Sequence, residues 1–214
     1  MAISLPKSKK RSFSGLTAKE AFGLIGRTSL TDWAIEVVPR EPSSQLLANL
    51  RSLKSFAVMS SEAGKELLIN DILREVLPDY PSLRVWKDAP LDTNTLTGSA
   101  DYLFAPFADY LTEPILCAVE AKRDDFEAGE IQCVGEMFAC REKNEAVGIR
   151  ADVFGIVSNG QGWVFYRWDR SDQNFERTDF FGIKSLPDLL GAITTVCAGC
   201  DAQVSLMNAA TQAV

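Results

Sequence analysis

The stretch from residue 114 to residue 169 constrains the fold most. "PILCAVEAK" (114–122) is apolar through Ile115 to Val119 and then turns charged. It is followed by "DDFEAGEIQCVGEMFACREKN" and by a second apolar run, "DVFGIVSNG". Short apolar runs bounded by turn formers read as buried strands. The segment between them starts with acids and ends with Arg141 and Lys143, as a helix dipole favours. Strand, helix, strand implies a helix that crosses over one sheet.

Two strand-like runs precede this unit, "LRVWKD" (83–88) and "ADYLFAPF" (100–107), with Pro, Asp, Asn and Gly between them. After it, "GWVFYRWD" is joined to "DVFGIVSNG" through Asn159-Gly160-Gln161-Gly162, a hairpin signal. In front stands "SSEAGKELLINDILREVLPDY", with a Ser cap, an apolar stripe of Ile69, Ile72, Leu73, Val76 and Leu77, and a stop at Pro78. Behind comes "SLPDLLGAITTVCAG", with Ser185 as cap and Pro187 in the first turn. Helix, three strands, helix, two strands, helix predicts an α/β domain over residues 60–200, a mixed central sheet flanked by helices. Residues 16–59 read as a helical extension with helices at 17–27 and after Ser43 or Ser44. Residues 1–15 read as a disordered basic tail and 201–214 as a frayed tail, with no internal repeat.

Composition excludes several chemistries. The chain has 214 residues and no histidine, so His-based triads, His-ligated metals and His general bases are absent. Catalysis would rest on carboxylates, Lys, Ser or Cys. Five cysteines, an odd number, favour a reducing, cytoplasmic compartment, and the lone CxxC at Cys197 and Cys200 argues against structural zinc. No apolar run approaches the ~20 residues of a membrane span, and no secretory signal is evident. A net charge of −7 opposes a broad non-specific grip on nucleic acid, while leaving room for a local basic groove.

The chemistry gathers where the central strand turns charged. Glu120 and Lys122, two apart on a strand, share a face. Burying such a pair costs free energy unless an ion pair or a metal compensates. "TGSAD" places Asp101 at the start of the preceding strand, behind Gly98. Carboxylates on adjacent strands, Asp101 and Glu120, can approach within a few ångströms and repel, which a divalent cation relieves. Oxygen ligation suits Mg²⁺ or Mn²⁺, and Lys122 is placed to hold or activate a metal-bound water. The bland alternative is a pair of strand-end acids in solvent or in ion pairs with Arg123 or Lys122. On the first helix of the domain, Glu62 and Glu66 fall inside the apolar stripe, whereas Asp71 and Glu75 lie on the opposite, wet side. Gln132 shares a face with Ala128, Gly135 and Ala139 and reads equally as an interior amide. Trp163 and Phe165 read as hairpin core before stacking platforms.

"GSAD", then "VEAK", then a helix bearing Gln132 resembles the PD-(D/E)xK nuclease superfamily over roughly residues 60–170. The likeness is to the N-terminal nuclease domains of type I restriction subunits and to RecB-like nucleases. It implies an αβββαβ restriction-endonuclease-like fold and metal-dependent hydrolysis of phosphodiester bonds in nucleic acid, DNA foremost. By that resemblance Asp101 and Glu120 bind Mg²⁺ or Mn²⁺ with the backbone carbonyl of Ala121, and Lys122 orients the attacking water. Glu66 or Glu62 would complete the metal site, and Gln132 matches the family's helix glutamine. Glu136 stands where RecB-like members carry a tyrosine, adding negative charge where DNA would approach. Arg84, Lys87, Arg123 and Arg141 would supply substrate contacts. The rival is a catalytically silent fold acting as a binding or assembly module; a third reading is a subunit that cuts only when a partner supplies the grip. A homodimer or protein partner is compatible with each, and a membrane is not implied.

Overall fold

The computed structural model describes residues 10–53, 62–121 and 125–212, the side chains of 62–65 and 210–212 lying outside the description. In chain order the elements are β1 (Arg11–Ser12), α1 (Ala18–Leu24), β2 (Thr31–Asp32), α2 (Ser44–Leu53), α3 (Glu62–Val76) and β3 (Leu83–Pro90). Then come β4 (Leu96–Thr97), β5 (Ser99–Pro106), β6 (Cys117–Ala121), α4 (Phe126–Ala146), β7 (Val153–Ser158) and β8 (Gly162–Trp168). The chain finishes with β9 (Phe175–Arg177), β10 (Phe181–Gly182) and α5 (Leu186–Gln212).

The main sheet is mixed, in the order β2-β9-β8-β7-β6-β5-β3, with β10 also beside β8. β3, β5 and β6 pair antiparallel in succession, and β6 pairs parallel with β7 through the α4 crossover. Helices cover both faces, so the central strands read as unbroken apolar runs. On one face, Ile69, Ile72 and Val76 of α3 and Leu190, Ile193 and Val196 of α5 pack against Phe104, Val119, Ile156 and Phe165. On the other, Cys133, Val134 and Met137 of α4 meet Leu103, Ala118, Val157 and Tyr166. Each large apolar side chain so buried contributes about 1.5–3 kcal/mol. Asn144, fully buried near the end of α4, clamps the segment leading into β6: its Oδ1 accepts from Ile115 N at 2.7 Å and its Nδ2 donates to Ile115 O at 2.9 Å. This pins the helix to the strand that carries Glu120.

The first fifteen residues are not all tail. β1 pairs parallel with β4, and Phe13 is buried in the α4-side core. A Cβ at Gly98 would lie 2.5 Å from the Phe13 ring, so glycine there admits the aromatic. Residues 1–9 lie outside the described residues. Residues 16–53 are likewise built into the fold. Thr17 and Glu20 form a reciprocal capping box at α1, and Ser43 caps α2, its Oγ accepting from Leu46 N at 3.1 Å. Asp71 and Glu75 do not face open water as their helical phase implies, because α2 lies over them. Glu75 accepts from Ser43 N and Oγ at 2.6 and 2.8 Å, and Asp71 from Asn49 at 3.3 Å.

α5 runs on past Gly199 to Gln212. By length and composition it is apolar enough to cross a membrane, but half of its most apolar window is buried within the protein. Leu189, Leu190, Ile193, Val196, Cys197 and Cys200 supply that core contact, which accounts for the composition. All five cysteines are free and buried. Burial pushes the Cys197 thiol up to about 12, so the CxxC thiols are core side chains held in their protonated form.

Candidate functional site

The antiparallel register of β5 and β6 runs Phe104↔Cys117, Leu103↔Ala118, Tyr102↔Val119. One step further sets Asp101 opposite Glu120, on the side facing α4. The backbone N–H of Ala121 donates to Asp101 Oδ2 at 2.7 Å, fixing that carboxylate over the end of β6. Glu120 is 2% exposed. From α4, Gln132 Nε2 donates to Glu120 Oε2 at 2.8 Å and to Glu136 Oε1 at 3.0 Å. Gln132 is thus an interior amide that holds the buried Glu120 carboxylate in place.

Glu136 lies fully inside the protein, its carboxyl facing that of Glu120. Burial first, and then the charge of Glu120, push its carboxyl well above the ordinary range, against the hydrogen bond from Gln132. The expectation that Glu136 stands where DNA approaches does not hold: the side chain is fully buried and turns inward beside Gln132. The spacing carries the signal, since residues four apart on a helix share a face.

Glu66, an acid of α3, meets the sheet at β3. Its carboxylate pairs with Lys87 Nζ at 2.6 Å. Lys87 pairs in register with Tyr102, on the α3 side of the sheet. The hydrogen bond that Lys87 donates to Glu66 raises the Lys87 pKa, and the charges of Glu66, Asp88 and Asp101 add to it. Both partners are about a third or more exposed, so the ion pair itself contributes little, on the order of 0–1 kcal/mol. Lys87 nevertheless stands in the field of Asp101 as well as Glu66, a position that its place on a strand edge does not announce. The Tyr102 hydroxyl is buried with no hydrogen-bond partner among the described residues, and burial, reinforced by Glu66 and Asp101, raises its pKa.

Lys122, Arg123 and Asp124 lie outside the described residues, as does the Glu62 side chain. Among the described residues no group of three or more His, Cys, Asp or Glu side chains is disposed to hold a metal ion. The donor set of Asp101 and Glu120 is all carboxylate oxygen, the type that Mg²⁺ and Mn²⁺ prefer, and such ions keep several waters. Two adjacent carboxylates fit that chemistry without a full protein cage.

Arg141 is removed from any substrate surface. It is 4% exposed, donates to the backbone oxygens of Trp168 and Asp169 at 3.2 and 2.6 Å, and lies 4.3 Å over the Trp168 ring. It ties α4 to the turn after β8. Arg141→Ala is expected to destabilise the fold by about 2–3 kcal/mol in urea melts while leaving nucleic-acid affinity unchanged. Arg84 is half-buried, its guanidinium 4.8 Å over Trp86 and donating to Ala108 O at 2.6 Å.

No protein-family model matches the chain, and no curated protein matches it.

Proposed function

We propose that this chain is a metal-dependent nuclease of the restriction-endonuclease-like αβββαβ type, hydrolysing phosphodiester bonds of nucleic acid, DNA foremost, with Mg²⁺ or Mn²⁺. The reading rests on one observation: Asp101 and Glu120 converge at the ends of adjacent strands, with Glu120 buried and held by Gln132. Structural ion pairs do not require two acids to meet in this way. Asp101, Glu120 and the carbonyl of Ala121 would hold the metal, with Glu66 reaching it only on release from Lys87. The metal supplies Lewis-acid polarisation and a more acidic water. The chain's own residues do the rest. Ala121 N–H orients Asp101, Gln132 orients Glu120, and Lys122 positions the attacking water. Lys87 adds positive charge beside Asp101, favouring approach of a phosphodiester.

The second reading, a silent binding or assembly module acting with a protein partner, draws support from the net charge of −7 and from the burial of Arg141. Incubating the purified protein with plasmid, linear duplex and single-stranded DNA and with RNA, in Mg²⁺, Mn²⁺ or EDTA, separates the two. The nuclease reading expects metal-dependent cleavage of at least one substrate; binding without cleavage in any metal supports the module.

A further inference from the structure

We propose that the cavity beside the carboxylate pair takes an unpaired nucleobase carrying an exocyclic amino group, so that the substrate is single-stranded or locally opened nucleic acid. This deepens the nuclease reading and rests on it. The cavity has a volume of about 510 Å³. Its place relative to the site follows from strand register. Glu120 pairs with Val157, and Val157 with Val164. Val164 lines the cavity, so cavity and carboxylate lie in one row across three strands. Val157 and Val164 both belong to the α4-side core, the face that Glu120 also takes. Two strand spacings, roughly 10 Å, separate Glu120 from Val164. A base flanking a phosphate held at Asp101 and Glu120 reaches that distance.

Two aromatic rings form one wall. Phe180 is 60% exposed, and Phe126 meets it edge-on with centroids 5.3 Å apart. The tip of the Phe180 ring fills the space a Cβ would need at Gly162, 1.8 Å away. Glycine at that position lets the ring close on β8 and sets its place. An anchored yet solvent-facing ring is a stacking surface, and base–aromatic stacking contributes about 1–3 kcal/mol per base.

The polar lining discriminates between the parts of a nucleotide. Among the described residues, Asp32, Glu127, Glu130 and Asp179 face the cavity with one cation, Arg177. Arg177 is already paired with Glu130 at 2.8 Å, and the Tyr166 hydroxyl donates to the same carboxylate at 3.1 Å. The lining is net negative and repels phosphate. Carboxylates instead accept hydrogen bonds from amino groups such as the N4 of cytosine or the N6 of adenine, which thymine lacks.

The test is fluorescence anisotropy in EDTA with labelled oligomers of about ten nucleotides: dC, dA, dT and rC, against wild type, Phe180→Ala, Phe180→Leu and Gly162→Ala. The dC and dA oligomers are expected to bind about tenfold tighter than dT. Phe180→Ala and Gly162→Ala, which remove or displace the ring, should each weaken dC binding about tenfold, and Phe180→Leu, which keeps an apolar side chain but has no aromatic face, should weaken it as well. Whichever of dC and rC binds tighter names the source of the base, and Phe180→Ala must weaken that one. Equal affinity for dC and dT, no binding at all, or a Phe180→Ala protein that binds like wild type overturns the proposal. Parallel Mg²⁺ reactions keep the two readings apart. Cleavage without base preference removes the base site and leaves the nuclease; base preference without cleavage does the reverse.

Discussion

Glu120→Gln is expected to abolish metal-dependent cleavage, with a loss of a hundredfold or more, and to weaken metal binding at the same time. The glutamine keeps the shape and can still meet Gln132, but it removes the negative charge that the neighbouring Asp101 shares with a cation. Lys122→Ala should differ in kind. A lysine that touches only the attacking water is felt in the chemical step, so cleavage should fall about a hundredfold to a thousandfold with metal and substrate affinity nearly unchanged. Single-turnover cleavage beside metal titration reads both. If cleavage survives in both variants, the activity arises elsewhere and the carboxylate pair is not its source.

Glu136→Gln is expected to change how stability depends on pH. The Glu136 carboxyl is raised in the folded state by burial and by Glu120, so the native protein holds a proton that the unfolded chain releases above the ordinary value of 4.5. Its stabilising contribution is fully present below that ordinary value. It declines by about 1.4 kcal/mol per pH unit above it, and is gone once pH has risen through the folded-state value. Glutamine mimics the protonated acid, accepting from Gln132 and offering an amide toward Glu120, and does not titrate. Urea melts between about pH 5 and pH 8 should therefore show the variant gaining on wild type steadily as pH rises. Parallel stability curves for the two proteins would show that Glu136 ionises normally despite its burial.

The crossover at the centre of the fold is legible because each part of it carries its own physics. Ile115–Val119 is apolar enough to be buried on both faces, the following segment bears acids first and bases last, and Asn159-Gly160 marks the hairpin. The structure places β6, α4, β7 and β8 accordingly, within a residue or two at most ends. β1, β2, β4 and β10 have two residues each and β9 three. A strand that short has no alternation to read; its existence is decided by the partner it meets. Phe13 sits in a basic stretch, and the α4-side cluster it joins, with glycine at 98 and 135 leaving room beside the ring, makes it core.

The charged residues divide along the same line. Asp101, Glu120 and Gln132 come together because period-two strands and a helix facing them fix their directions, both readable from spacing. Asp71 and Glu75 lie opposite the apolar stripe and read as solvated, yet a second helix, α2, covers them. Arg141 reads as a dipole-matched helix end, yet the turn after β8 folds over its guanidinium and takes its hydrogen bonds. In each case a tertiary partner, not the local pattern, decides the environment. The partnership of Glu66 with Lys87 is of the same kind, since it joins α3 to the sheet across 21 positions of sequence.

The central claim is that Asp101 and Glu120 hold a divalent cation, and thermal melting in a Mn²⁺ or Mg²⁺ series tests it most directly. A cation that binds only the folded state stabilises it by about 2.7 kcal/mol at a hundredfold excess over its Kd, so the wild-type midpoint should climb with metal into the millimolar range. Asp101→Asn should melt at or above wild type without metal, because a repulsion is relieved, and should lose most of the metal-dependent rise. A wild-type midpoint that does not move with metal, or one that moves equally in Asp101→Asn, contradicts the claim.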